Sequence, residues 1–150
     1  MKRQAYTIAA IVLMTGLFAV SSAKAQASGP ARLTANIPFE FSAGNETLPA
    51  GEYVVSCTNP TARGKVLHFR NKDGRHSVMI QTSDVIGPVR DYARLIFRRY
   101  GNRYFLAQAW MPADNNGLEA RKSRTERTVE HEFAVTKAKT ETVALKVKQW

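Results

Sequence analysis

Alternation of apolar and polar residues is the dominant pattern of the chain from residue 33 onward. In the first run five apolar residues share one face: Leu33, Ala35, Ile37, Phe39 and Phe41. A period of two residues is typical of a strand with one buried face. A polar connection at residues 42–46 and a Pro-Ala-Gly turn at 49–51 follow. The pattern therefore predicts a strand, a reversal and a second strand that starts at Glu52.

The next two runs, residues 66–70 and 75–82, predict a β-hairpin around the Asp-Gly pair at 73–74. A two-residue turn there sets Phe69 opposite Val78, and Leu67 opposite Ile80 two positions further on, so that apolar side chains meet across the strands. The two-residue turn is favoured, although a four-residue loop would keep the same pairing. A register shifted by one residue would lose the match, so we expect this pairing in the fold.

A second hairpin is predicted over residues 93–111, where the Gly-Asn pair at 101–102 suits a type II′ turn. This register sets Phe97 opposite Leu106 and Ile96 opposite Ala107. Both faces of the hairpin carry apolar residues, as in strands that are covered on two sides. We therefore expect the hairpin at the core, between predicted loops at residues 83–92 and 112–117.

The last part of the chain predicts one short helix and one strand. Ser123 and Glu126 match a capping box, with a helix from about Arg124 to Phe133. Val143, Leu145 and Val147 alternate with Ala144, Lys146 and Lys148, which predicts a final strand whose lysines protect a sheet edge. In total, about seven strands and one short C-terminal helix indicate a mainly β fold, either an antiparallel β-sandwich or a small barrel.

The N-terminal residues have the features of a signal peptide. Lys2 and Arg3 precede an apolar run from about residue 5 to 20, and Ala23-x-Ala25 fits a cleavage site before Gln26. Cleavage two residues later, after Ala25-x-Ala27, and retention of the run as an anchor are the alternatives. We expect residues 1–25 to be a signal peptide and residues 26–150 a single exported domain, periplasmic or extracellular.

Charge and cysteine content narrow the class of protein. The chain carries 22 Lys and Arg against 12 Asp and Glu, and without residues 1–25 its formal charge is +7. For an exported domain this charge favours anionic envelope polymers or polysaccharides as partners, with solubility as the alternative and no nucleic acid expected. Cys57 is the only cysteine, so an intramolecular disulfide is excluded, and its strand pattern predicts a buried thiol.

The densest basic and aromatic group is the one candidate binding site. Its residues lie on the second hairpin: Arg94, Arg98, Arg99, Tyr100, Arg103 and Tyr104. Guanidinium groups and aromatic rings on a sheet bind polyanions or sugars, whereas the alternative is that their stems cover apolar surface. A pairing of Cys57 with His68 on the next strand is conceivable as a catalytic dyad, but no motif activates the thiol. We predict no metal site, no cofactor and no catalytic residue.

Three sequence blocks resemble a family of small secreted bacterial proteins of the acidobacterial type. The blocks are Ile-Pro-Phe-x-Phe at 37–41, Leu-Pro-Ala-Gly-x-Tyr at 48–53 and Arg-Tyr-Gly-x-x-Tyr-Phe-Leu at 99–106, followed by Trp110. The resemblance implies an exported β-domain and carries over no activity or ligand. The predicted function is a non-enzymatic binding or structural module, without stable membrane insertion after cleavage. The alternative is a small enzyme or ligand carrier with a pocket between the sheets.

Overall fold

The structure is a computed structural model that describes residues 32–59, 64–136 and 139–149. The predicted signal peptide, residues 1–25, lies outside the described residues. The strands are β1 (Arg32–Ile37), β2 (Phe41–Ala43), β3 (Glu46–Leu48), β4 (Gly51–Thr58), β5 (Lys65–Asn71), β6 (Ser77–Ile86), β7 (Ala93–Tyr100), β8 (Arg103–Trp110), β9 (Asn116–Ala120) and β10 (Glu141–Gln149). A helix, α1 (Arg124–Val135), connects β9 with β10.

Eight of these strands form a closed antiparallel barrel in the order β8-β7-β10-β1-β4-β5-β6-β9. The barrel closes because β9 pairs with β6 on one side and with residues 108–110 of β8 on the other. The small hairpin β2–β3 is attached outside this circuit through a parallel bridge from Ser42 to Phe105. The predicted mainly β fold with one short helix is confirmed, and of the two predicted architectures the barrel is the one observed.

The interior of the barrel is filled by alternate side chains of its strands. Nine of them have no exposed surface: Leu33, Ala35, Ile37, Tyr53, Val55, Leu67, Phe69, Leu95 and Phe97. In small barrels the inward positions are filled by side chains in this way, and the outward positions carry the polar residues. The barrel is therefore a packed core rather than an open container.

Three segments that are separated in the sequence, residues 37–41, 48–53 and 99–106, meet at one end of this core. The ring of Phe39 stacks on Tyr104 with ring centres 3.8 Å apart, and Phe41 meets Tyr53 edge to face at 5.4 Å. The hydroxyl of Tyr53 donates a hydrogen bond to the carbonyl oxygen of Pro49 at 2.7 Å. These aromatic contacts and this hydrogen bond join the three segments to one another.

The two predicted hairpins are present. In β5–β6, Phe69 lies opposite Val78 as predicted, but the connection is the four-residue loop 72–75 and not the favoured two-residue turn. The loop is closed by Asn71, whose N–H donates to the carbonyl oxygen of His76 at 2.8 Å. Leu67 likewise lies opposite Ile80, so the predicted register is confirmed.

In β7–β8, Phe97 lies opposite Leu106 as predicted, but Ile96 lies opposite Gln108 instead of Ala107. The second pairing was wrong because a β-bulge interrupts the register between Ile96 and Phe97. The turn itself agrees with the prediction, since Gly101 has a φ of +59°, as the first central residue of a type II′ turn requires.

The described residues contain ten strands rather than seven, because several strand limits differ from the predicted ones. The first predicted strand is interrupted at residues 38–40, and the predicted loop at 42–46 contains the turn of the β2–β3 hairpin. Strand β6 continues to Ile86, and β9 begins at Asn116 within a predicted loop. The lysine-rich strand β10 was wrongly placed at an edge, since it pairs with both β7 and β1.

Helix α1 covers part of the outer surface of the β7–β8 hairpin. Its N-cap is the predicted one, because the Oγ of Ser123 accepts a hydrogen bond from the backbone N–H of Glu126 at 3.1 Å. Val129 and Phe133 share one side of the helix, as predicted, and pack with Tyr100 and Phe105 in a second, small core. The helix is thereby held on the outside of the barrel.

Candidate functional site

The six residues of the predicted binding site all lie on the β7–β8 hairpin, but the structure divides them among different environments. Leu95 and Phe97 of β7 point into the core, so Arg94, Arg98 and Tyr100 belong to the outer face of the barrel. Arg99 and Tyr104 are cross-strand partners near the hairpin turn. The six side chains therefore do not form one continuous surface.

Arg98 and Tyr100 hold the helix on the barrel through Glu126. The carboxylate of Glu126, only 2% exposed, accepts hydrogen bonds from the Nε of Arg98 at 2.5 Å and from the hydroxyl of Tyr100 at 3.4 Å. Burial, together with the nearby negative charge of Glu126, raises the pKa of Tyr100 to about 12. The capping-box interpretation was wrong in one respect: this carboxylate binds the barrel rather than the helix cap.

Arg94 and Arg99 are also engaged within the protein. The guanidinium carbon of Arg94 lies 4.8 Å from the centre of the Trp110 ring, and its Nε is buried with no hydrogen-bond partner in the part of the chain described. Arg99 donates to the carboxylate of Glu141 at 3.1 Å and to the carbonyl oxygen of Gly101 at 2.7 Å. These contacts stabilise the barrel, which leaves both side chains less available to a ligand.

The last two predicted residues line a small cleft beside the hairpin turn. Arg103 is exposed, and Tyr104 is half-buried beneath Phe39. The cleft has a volume of about 320 Å³ and includes Glu40 in its lining. The structure describes all six predicted residues. Among them, Arg103 is the one whose side chain has no hydrogen bond, ion pair or ring contact with the described part of the chain.

A larger cleft, which sequence reasoning missed, lies between β6, the β2–β3 hairpin and the start of α1. Its volume is about 470 Å³. Its charged lining residues are Glu46, Arg121, Lys122, Arg124 and Arg127. The four basic residues and the single carboxylate make this cleft electropositive, and we call it the basic cleft.

The basic side chains of this cleft differ in how firmly they are held. Lys122 forms an ion pair with Glu130, and the guanidinium of Arg127 donates to the backbone carbonyl of Lys122 at 3.2 and 3.3 Å. Arg121 and Arg124 are exposed and have no partner among the residues that the structure describes. Two guanidinium groups therefore remain able to bind an anion in the cleft.

The position of these charges is unfavourable for the helix itself. The N-terminal end of a helix carries a partial positive charge, so basic residues there destabilise it. The first turn of α1 has one acidic residue, Glu126, and its charge is already paired with Arg98. Helix stability therefore does not account for Arg124 and Arg127 at this end. In the sequence, the basic segment 121–127 is the one feature that indicates this cleft. The other walls of the cleft come from residues 43–46 and 78–81, which are far away in the chain.

The remaining candidate chemistry finds no support in the geometry. Cys57 lies opposite Leu67, whereas His68 lies opposite Ser56, so thiol and imidazole are on different faces of the sheet. Cys57 is buried, and burial raises the pKa of its thiol.

Within the described ranges no three His, Cys, Asp or Glu side chains are grouped so as to bind a metal ion. In those ranges no helix has the length and apolarity needed to span a bilayer.

Fold and site together define an eight-stranded antiparallel barrel with a packed interior and a basic cleft on its outer side. Comparison of the chain with protein-family models, with curated proteins and with solved structures found no match. The function is therefore inferred from the geometry of the cleft.

Proposed function

We propose that the protein is an exported, non-enzymatic binding module that holds an anionic polymer, such as an acidic envelope polysaccharide, in its basic cleft. One observation carries this proposal: four basic side chains and a single carboxylate line the same cleft. Two of the four, Arg121 and Arg124, have no partner within the described part of the chain.

Guanidinium groups suit this role because their paired N–H donors match the oxygens of carboxylate, sulfate and phosphate groups. The formal charge of +7 that remains without residues 1–25 adds a longer-range attraction for polyanions. The alternative of an enzyme or carrier with an internal pocket has less support, since buried apolar side chains occupy the inward positions of the barrel.

Heparin chromatography tests the proposed cleft with a matched control. The double variant Arg121→Ala with Arg124→Ala removes two charges from the cleft, and Arg32→Ala with Arg90→Ala removes two exposed charges elsewhere. We expect the cleft variant to elute at clearly lower salt than the control variant. Equal shifts would mean that net charge alone causes retention, which would contradict a specific site in the cleft.

Export is tested by expressing the full-length gene in a Gram-negative host, fractionating the cells and measuring the intact mass of the product. A periplasmic or secreted species that begins at Gln26 or nearby would support an exported module. A full-length species in the membrane fraction would mean that the N-terminal segment is retained as an anchor. In that case the basic cleft would act close to a membrane surface.

A further inference from the structure

Within the described part of the chain, the first half of strand β6 has a paired neighbour on one side only. Strand β6 pairs with β5 from Ser77 to Thr82 and with β9 from Thr82 to Ile86. Strand β9 ends at Ala120, where the chain turns away towards α1. Among the described residues, 77–81 therefore form an open strand edge, with β5 on one side and no paired strand on the other.

The pairing with β5 shows which backbone groups this edge presents. The N–H of Asn71 donates to the carbonyl oxygen of His76, so these two residues form a hydrogen-bonded pair. In an antiparallel ladder such pairs alternate, which directs the backbone of Val78 and Ile80 to β5 and that of Met79 to the open side. The open edge thus offers the N–H and C=O groups of Ser77 and Met79.

This edge forms one wall of the basic cleft. Residues 78–81 line the cleft together with residues 43–46 of the β2–β3 hairpin and the basic residues that lead into α1. Proteins usually protect an open edge with lysine, proline or a bulge. The edge Ser-Val-Met-Ile-Gln has none of these, and the side chain of Met79 is 67% exposed. It therefore remains accessible to another strand.

We propose that the β6 edge accepts an extended acidic peptide segment of a partner protein as an added strand. Backbone hydrogen bonds to an open edge provide affinity in this mode of recognition, and pockets for alternate side chains provide specificity. One face of the added strand packs towards Val78 and Ile80, which are buried and apolar. The alternate side chains are carboxylates, which pair with Arg121 and Arg124.

Charge decides between this partner and the other possible occupants. Pairing of β6 with β6 of a second copy would bring two basic clefts together, and such like-charge contacts are unfavourable. A polysaccharide matches the charge but has no peptide backbone to bond the edge. The inference rests on the proposed function, because the same basic side chains hold the anionic partner in both.

Peptide binding to the exported domain tests this inference. The probe is an end-capped, fluorescently labelled peptide of about six residues in which valine and glutamate alternate. Its control has the same sequence with N-methyl groups on alternate residues, which removes the strand-pairing donors and keeps the charge. We expect saturable binding by fluorescence anisotropy, weakened at least about tenfold by N-methylation and about tenfold by Arg121→Ala with Arg124→Ala.

Two variants of Met79 test the same point on the protein. Met79→Pro removes the N–H on the open side without loss of a bond to β5, whereas Met79→Ala keeps that N–H. We expect the proline variant to lose peptide binding and the alanine variant to retain it, with heparin retention unchanged in both. Melting temperatures verify that the variants are folded. The N-methylated peptide tests the same point on the wild-type protein, so that this test does not depend on the folding of any variant.

Several outcomes would overturn the inference and leave the proposed function in place. They are equal binding of the N-methylated peptide, retention on heparin without peptide binding, or a dimer in size-exclusion chromatography that Met79→Pro abolishes. If the Arg121 and Arg124 substitutions changed neither heparin retention nor peptide binding, both proposals would fail.

Discussion

The protein has two clusters of basic residues, and these clusters differ in the groups that their charges contact. On the β7–β8 hairpin, Arg98 is paired with the buried Glu126, and Arg99 with Glu141. In the basic cleft, Arg121 and Arg124 are exposed and have no partner within the described residues. The same residue type therefore stabilises the fold in one region and remains available for binding in the other.

This difference changes how a binding test should be designed. Alanine at Arg98 would leave Glu126 buried without its partner, and a buried unpaired charge is strongly destabilising. Weaker retention of such a variant on heparin would then report a loosened helix rather than a lost contact with the ligand. Substitutions of Arg121 and Arg124 avoid this problem because neither side chain forms an ion pair with any residue that the structure describes.

The largest expected effect follows from breaking the buried pair on the hairpin. Glu126→Gln leaves the guanidinium of Arg98 without its carboxylate, and we expect the free energy of unfolding to fall by about 3–5 kcal/mol. Glu141→Gln breaks the exposed pair with Arg99 and should cost less than about 1 kcal/mol. Urea denaturation of both variants measures the difference, and similar losses would contradict the distinction between the two pairs.

A second effect depends on pH. The pKa of Tyr100 is raised from 10.0 to about 12 in the folded protein, so the unfolded chain releases this proton first. The contribution of the protonated Tyr100 hydroxyl to the free energy of unfolding is fully present below pH 10. It is lost at about 1.4 kcal/mol per pH unit as the pH rises towards 12. Denaturation between these pH values should show a steeper loss for the wild type than for Tyr100→Phe. Parallel curves would show that the Tyr100 hydroxyl does not titrate in this way.

A smaller effect is expected for Arg94, whose guanidinium lies over Trp110. Arg94→Ala exposes part of the indole ring and should lower the free energy of unfolding by about 1 kcal/mol. Arg94→Met keeps most of the packing and also removes the buried Nε, which has no partner in the described structure. We therefore expect the methionine variant to be close to the wild type in thermal unfolding. A methionine variant as unstable as the alanine variant would mean that the charge, rather than the stem, matters.

The smallest expected effect is in the basic cleft. Arg121→Ala with Arg124→Ala should change the free energy of unfolding by no more than about 0.5 kcal/mol, because both side chains are exposed and unpaired within the described structure. Loss of a basic residue at the start of α1 is expected to shift stability slightly upward. Calorimetry of this variant therefore serves as the control for its binding defect, and a large loss of stability would invalidate the comparison.

Much of the fold was predictable because strand patterns and turn residues are local features. The facing pairs Phe69–Val78 and Phe97–Leu106 follow from alternation and from the turn between them. The β-bulge at Ile96 was not predictable, because both faces of that hairpin are apolar and either register buries a similar surface. Part of the cluster on β7–β8 was recognisable as basic and aromatic, but the carboxylate that binds Arg98 lies 28 residues away in sequence.

Local patterns in the sequence were sufficient to predict most of the strands, the turn at Gly101, the N-cap at Ser123 and the excess of positive charge. Closure of the sheet was visible only in the folded protein, because it depends on β9 pairing with two strands at once. The tertiary structure also decided which arginines are held and which are exposed. The physical reason is that alternation, turns and caps are set by neighbouring residues, whereas closure and ion pairing depend on residues that meet only after the chain has folded.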